Sequence, residues 1–167
     1  PVALGESVTP MRPAAGSAAV AGVDSATLFY NARAPFDGVL TGGQPTVEQF
    51  EILADLGYRT VINLRDPNES GSTDPAVVQS LGMDYVALPI SGAGDISEEM
   101  ARTLTQALGG AEFPVVVHCA SGNRVGALFA LKAYHVDGEN PTDALAIGQA
   151  AGTTRLESLV RQRLGLD

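Results

Sequence analysis

Apolar residues recur along the chain in two rhythms. Short unbroken runs occur at Thr60-Val61-Ile62-Asn63-Leu64, over 85–90 and at Val115-Val116-Val117. Runs of this length, rich in β-branched residues, predict buried strands. Val39-Leu40 and the stretch 27–30 predict two further short strands. The second rhythm is helical. Met100, Leu104 and Leu108 lie four apart and predict an amphipathic helix over 96–108. Thr46 with Gln49 three residues on has the form of a capping box, so a helix starts there, passes through Phe50, Leu53 and Ala54, and stops near Gly57. Further helices are predicted at 74–81, 124–136, 141–151 and 154–164. Asp66-Pro67-Asn68 is a turn signal, and Ser91-Gly92-Ala93-Gly94 reads as a flexible loop.

Strands alternating with helices predict an α/β chain: a three-layer sandwich with a central, mainly parallel sheet flanked by helices. The 167 residues suit one domain with a hydrophobic core. Residues 1–24, rich in Ala, Gly and Pro without strand or helix period, read as a flexible extension, and 25–167 as the folded domain. Such a lead also fits the mature start of an exported protein, so the compartment stays open between cytoplasm and periplasm.

The net charge of −9 argues against non-specific nucleic-acid binding, which needs clustered Lys and Arg. No apolar run is long enough to span a bilayer. One cysteine excludes an internal disulfide, and with two histidines the chain has no metal-ligand spacing. No metal or cofactor is expected. The sequence says nothing of oligomeric state. Cys119 has no structural partner in the sequence, which draws attention to its surroundings.

Those surroundings are Pro114-Val115-Val116-Val117-His118-Cys119-Ala120-Ser121-Gly122-Asn123-Arg124-Val125-Gly126. A buried strand ends at Cys119, a tight loop follows, and a helix begins near Arg124. Successive inward amides in such a loop form an anion-binding concavity. The helix start adds unpaired N–H donors and partial positive charge. Helix N-termini and neighbouring cations can lower a cysteine pKa from ~8.5 to roughly 3.5–7.5. Arg124 offers a planar fork for two oxygens of an oxyanion, although an arginine in a first helical turn opposes the dipole. Gly122 permits close backbone approach, and Asn123 tolerates left-handed geometry. Thiolate, amide nest and guanidinium together suit nucleophilic attack on a bound phosphoryl group.

The stretch His-Cys-x-x-Gly-x-Arg after an apolar strand resembles the phosphate-binding loop of cysteine-based protein tyrosine and dual-specificity phosphatases. Gly42-Gly43-Gln44-Pro45, the stretch from Gly57 to Arg65, and the stretch from Asp84 to Ile90 resemble the small bacterial phosphatase-like domains called beta-lactamase-hydrolase-like. The resemblance covers roughly 26–160. It implies a protein tyrosine phosphatase-like fold and hydrolysis of phosphate monoesters, phosphotyrosine among them, through a thiophosphoryl-cysteine. Cys119 would be the nucleophile, and Ala120, Ser121, Gly122, Asn123 and Arg124 would bind the phosphate. Two departures stand out. Four residues separate Cys from Arg where most such enzymes have five, a shortening the bacterial subfamily shares. The residue after the arginine, usually Ser or Thr, is Val125.

The resemblance also implies a general acid on the loop after the 85–90 strand. Asp95 is the candidate, and it is equally a natural N-cap for a helix at Ile96. Asp66 and Glu69 are held in reserve. Arg65 either adds positive potential or forms a salt bridge. His118 alternates with Cys119 and so faces the other side of the sheet, in a supporting role. Gln44 and Thr41 flank a Gly-rich turn near the loop, and His135 reads as structural. The expected partner is a phosphorylated protein or small molecule. Two rivals remain: a rhodanese-like sulfurtransferase with a persulfide on Cys119, since such enzymes use a loop of about this length, and a non-catalytic phosphate-binding module.

Overall fold

Three strands that are buried along their whole length form the centre of the fold: Val39–Gly42, Thr60–Asn63 and Val115–His118. The computed structural model describes Met11 and residues 22–166. The expected extension over 1–24 thus falls mostly outside the described residues. In chain order the strands are β1 (Arg33–Phe36), β2 (Val39–Gly42), β3 (Thr60–Asn63), β4 (Asp84–Ala87) and β5 (Val115–His118). The helices are α1 (Val47–Asp55), α2 (Pro75–Ser80), α3 (Glu98–Gly110), α4 (Asn123–His135), α5 (Pro141–Ala151) and α6 (Glu157–Arg163).

The sheet order is β1-β2-β5-β3-β4. β1 runs antiparallel to β2, and the other three pairings are parallel. Alternation along β5 sorts the layers. Val115, Val117 and Cys119 face a core built with α3, α4, α5 and α6. Val116 faces a second core with Phe50 and Leu53 of α1 and Val78 of α2. All three valines are fully buried, each contributing about 1.5–3 kcal/mol of apolar transfer. The result is the expected α/β three-layer sandwich with a mainly parallel central sheet.

Helix starts follow local chemistry. Thr46 accepts from the Gln49 amide while the Gln49 side chain accepts from the Thr46 amide, the expected capping box. Asp74 and Asn140 cap α2 and α5, each followed by proline. Several expectations need correction. The stretch 27–30 is not a strand: Asp24 caps a 3-10 turn over Ser25–Thr27 through its side chain, which accepts from the Ala26 amide. α3 begins at Glu98 rather than Ile96, and its cap is Ser97, not Asp95. α6 begins at Glu157 because 154–156 form a turn tied to Asn123. β4 ends at Ala87, although Leu88 and Ile90 still donate to Asn63 and Leu64.

α4 lies against α5 through small residues. A Cβ at Gly126 would meet the Thr153 amide at 2.3 Å and the Gly148 carbonyl at 2.6 Å. The close contact brings the α5–α6 turn to the start of α4, where the loop of interest lies.

Candidate active site

The loop after β5 is held by backbone bonds on both sides. The Cys119 amide donates to Gly42 (3.1 Å), and the Gln44 amide donates to Ala120 (3.1 Å). Gly43 pairs with Ser121, so a Cβ at Gly43 would sit 2.6 Å from the Ala120 carbonyl. Gly122 takes φ +94° as the residue before α4, a conformation that L side chains rarely adopt. That turn points its own amide back at the cysteine: Gly122 N–H donates to Cys119 Sγ at 3.1 Å. Cys119 is fully buried at 0% exposure. A backbone N–H aimed at sulfur at a helix start stabilises negative charge there.

Arg124, one residue into α4, projects to the same place. Its guanidinium donates to both carboxylate oxygens of Glu69, 3.0 Å for Nη2 to Oε2, and Nη1 also donates to the Ile90 carbonyl at 3.1 Å. The Arg124 pKa is raised, first by the Glu69 bond and also by the nearby Cys119. Glu69 is pushed down to about 2, chiefly by the Arg124 bond. Arg65 closes the network. It is largely buried and donates to Glu69 (2.9 Å), Gln44 (2.9 Å) and the Ser70 carbonyl (2.6 Å). Arg65 and Gln44 therefore form the frame behind Glu69. Gln44 also donates to Thr73 at 3.1 Å.

Asn123 ties the loop to the α5–α6 turn. Its Oδ1 accepts from the Thr154 amide (2.8 Å), the Leu156 amide (3.2 Å) and the Thr154 hydroxyl (3.2 Å). Its Nδ2 donates to the Ser121 hydroxyl at 3.3 Å, which also accepts from Arg155 at 3.1 Å. Beside the loop opens a cavity of about 400 Å³. Arg124, Glu69 and Arg155 supply its charged wall. Ile90, Ile96, Leu156 and Leu159 supply an apolar one.

The expected acids sort themselves by their partners. Asp66 accepts from the Ser91 hydroxyl and from the Asn68 amide (2.7 Å), and its pKa is lowered, first by Ser91. Asp66 and Glu69 are thus both held ionised. Asp95 closes the 3-10 turn Ala93–Asp95, and its Oδ2 accepts from the Ser91 amide at 2.9 Å. Its neighbours Ser91, Gly92, Ala93 and Ile96 line the cavity. Arg163 fastens this loop by donating to Ile96 and Ala93, both 3.2 Å. His118 packs edge-on to Phe50, with ring centroids 5.9 Å apart, on the sheet face opposite Cys119, as alternation requires. Its Nδ1 lies 3.2 Å from the Cys119 carbonyl, and burial pushes its pKa down to about 4. Thr41 is buried and bonds to Arg33, away from the loop. His135 lies 3.5 Å from Glu98. Val125 is fully buried. Among the described residues no group of three His, Cys, Asp or Glu side chains could hold a metal ion. No helix among them is long and apolar enough to cross a membrane.

Sequence reasoning missed the Glu69–Arg124 pair, the Asn123 tie and Arg155. The first two link residues 55 and at least 31 positions apart. No local signal marks Arg155 beyond its following Thr153-Thr154.

Residues 38–136 match the sequence family described as beta-lactamase hydrolase-like protein, phosphatase-like domain. A beta-lactamase hydrolase-like protein of Xylella fastidiosa is 35% identical over 116 residues, which is 66% of this chain and 26% of the relative. One of Agrobacterium fabrum is 35% identical over 94 residues, 53% of this chain and 22% of the relative. The chain therefore spans about a quarter of the length of the curated relatives it matches. Among solved structures, P. aeruginosa TpbA, a Cys-to-Ser form in complex with phosphotyrosine, superposes with a TM-score of 0.65 at 20% identity, covering 82% of this chain and 85% of that one. A protein of Neisseria meningitidis crystallised as a candidate phosphatase gives 0.62 at 25% identity, over 75% and 93%. The fold is that of the protein tyrosine phosphatases.

Proposed function

The chain belongs to the phosphatase-like domain family of beta-lactamase hydrolase-like proteins, and from that membership and the loop geometry we propose that it is a cysteine-dependent hydrolase of phosphate monoesters. The observation that carries this reading is the Gly122 amide donating to Cys119 Sγ at 3.1 Å, with the Arg124 fork beginning the next turn. Sulfur, amide donor and guanidinium share one end of one helix, which is what charge development on a transferring phosphoryl group calls for.

The thiolate of Cys119 attacks phosphorus in line, and the phosphorus–oxygen ester bond breaks. Arg124 and the amides from Ala120 to Arg124 hold the equatorial oxygens. Asp95, on the loop whose residues Ser91, Gly92, Ala93 and Ile96 line the cavity, gives its proton to the leaving oxygen. Water then gives a proton back to the Asp95 carboxylate as its oxygen attacks phosphorus, the sulfur–phosphorus bond breaks, and the thiolate returns. Arg124 and the amides supply the positive field. Val125 is fully buried and offers no hydroxyl to the departing thiolate. Breakdown of the thiophosphoryl intermediate is therefore the slow step.

The test is rapid mixing with an aryl phosphate. Wild type is expected to release a stoichiometric burst of phenol, followed by slower turnover. Cys119→Ser is expected to lose turnover while still binding phosphate, and Arg124→Lys to weaken both, because a point charge does not replace a bidentate fork. Sulfur transfer from thiosulfate to cyanide is the control for persulfide chemistry on the same sulfur. Unchanged phosphatase activity in Cys119→Ser removes the mechanism.

A further inference from the structure

The cavity beside the loop holds a second guanidinium that the phosphoryl chemistry does not use. Arg155 stands in the turn between α5 and α6 and lines the same cavity as Arg124. It donates to the Ser121 hydroxyl at 3.1 Å. Among the described residues it pairs with no carboxylate. It shares this with Arg33 and Arg163, which donate to backbone carbonyls, but of the three only Arg155 lines the cavity. Acids outnumber bases 19 to 10, and Arg59, Arg65, Arg102, Arg124 and Arg161 each reach a carboxylate. The one carboxylate that lines the cavity, Glu69, is already shared between Arg65 and Arg124.

The position of Arg155 is fixed by the phosphate loop itself. Asn123 Oδ1 accepts from the amides on either side of it, Thr154 at 2.8 Å and Leu156 at 3.2 Å. Ser121, on the same loop, holds its guanidinium. Ile90, Ile96, Leu156 and Leu159 supply the apolar part of the same lining. A ligand whose phosphate sits on Arg124 thus shares the cavity with hydrocarbon and with a cation that has no carboxylate partner.

We infer that Arg155 is a specificity residue that pairs with a second anionic group on the substrate, a phosphate monoester with an apolar body. The inference rests on the phosphatase reading for the placement of the first phosphate. Glu69 does not compete for Arg155, because its charge is neutralised where it stands. A merely structural Arg155, fastening the loop through Ser121, would affect all substrates alike. A specificity residue changes the ratio between a charged and an uncharged one.

The experiment uses two substrates with closely matched phenolic leaving groups: the phosphate of para-hydroxyphenylpropanoic acid and that of its N-methylamide. In wild type the acid is expected to be favoured in kcat/KM by roughly 5- to 20-fold, mostly through KM, the scale of one charge-assisted hydrogen bond partly open to water. Arg155→Gln, which keeps a donor for Ser121, is expected to bring the ratio near unity. Arg155→Lys is expected to keep part of it, and added salt to reduce it. A ratio near unity in wild type, or one that survives Arg155→Gln, overturns the inference. Should wild type turn over neither phosphate, the phosphatase reading fails by itself. The same ratio is then read as Kd for the two matching phosphonates, where equal affinities overturn the role of Arg155 independently.

Discussion

Glu69 lies on Arg124 the way an oxyanion would: both carboxylate oxygens accept from the two terminal nitrogens of one guanidinium. Glu69 is only 28% exposed in its side chain, and Arg124 only 20%. A phosphate entering the loop must share or take this fork. Glu69 therefore has two opposed effects. It orients Arg124, and it spends part of the positive potential that a substrate needs.

Glu69→Gln separates them. Losing the charge is expected to tighten phosphate or vanadate binding by roughly 3- to 10-fold, since the site gains one unit of net positive charge. Stability is expected to fall by ~1–2 kcal/mol, less than for a fully buried pair because water reaches the carboxylate. The pH dependence has a definite sign. Folding lowers the Glu69 pKa from 4.5 to about 2. Its contribution is complete above 4.5 and is lost as pH falls toward 2. Denaturant unfolding through that window should slope less in Glu69→Gln than in wild type. Weaker vanadate binding in the variant would mean that orientation outweighs charge.

Asp95 is expected to control the basic limb of the pH–rate profile. Its loop is anchored at both ends, by Ser91 to its own carboxylate and by Arg163 to the Ala93 and Ile96 carbonyls. In Asp95→Asn, kcat for an alkyl phosphate should fall by ~10²–10⁴, the scale of a lost general acid. A para-nitrophenyl ester, whose leaving group needs no proton, should suffer much less. A basic limb that persists in the variant excludes Asp95 as the acid.

Much of this arrangement could be read from neighbouring residues. Thr46 and Gln49 announce α1 because a capping box is a three-residue device. Cys119, Gly122 and Arg124 announce the loop because the nest and the helix start are contiguous in the chain. β1 escaped because its Ala34-Pro35 pair lacks strand propensity. Proline is accepted there because β1 is an edge strand. The stretch 27–30 forms no strand because Asp24, three positions earlier, caps a 3-10 turn there instead. Glu69 on Arg124 and Asn123 on Leu156 depend on how α4 docks against α5, α6 and the sheet, and no local spacing encodes that.

His118 should titrate near pH 4 and leave activity at neutral pH untouched. Burial lowers its pKa from 6.5 to about 4. The unfolded chain takes up a proton below 6.5 that the folded chain refuses until 4, so stability is full above 6.5 and declines between the two values. The slope there is at most ~1.4 kcal/mol per pH unit. Proton NMR should find the ring neutral at pH 6, with the hydrogen on Nδ1 facing the Cys119 carbonyl. A midpoint at the ordinary 6.5 would contradict the burial argument.

Asn123 joins the loop after β5 to the turn that carries Arg155, and two substitutions distinguish its two jobs. Its side-chain oxygen is the common acceptor for Thr154 and Leu156, while its nitrogen donates to Ser121. Asn123→Ala leaves the Thr154 and Leu156 amides without their acceptor, and because water reaches this turn the loss is about 0.5–1.5 kcal/mol per bond, the net value of an ordinary hydrogen bond. Asn123→Asp keeps the acceptor but loses the donor and adds a negative charge inside the loop. Thermal or denaturant unfolding should therefore rank Asp above Ala. Anion binding should rank the other way, because a carboxylate beside Cys119 and Arg124 opposes an incoming phosphate more than an absent side chain does. If both variants lose stability and affinity in the same order, Asn123 acts only as a fastener, and the loop's affinity does not depend on its local charge.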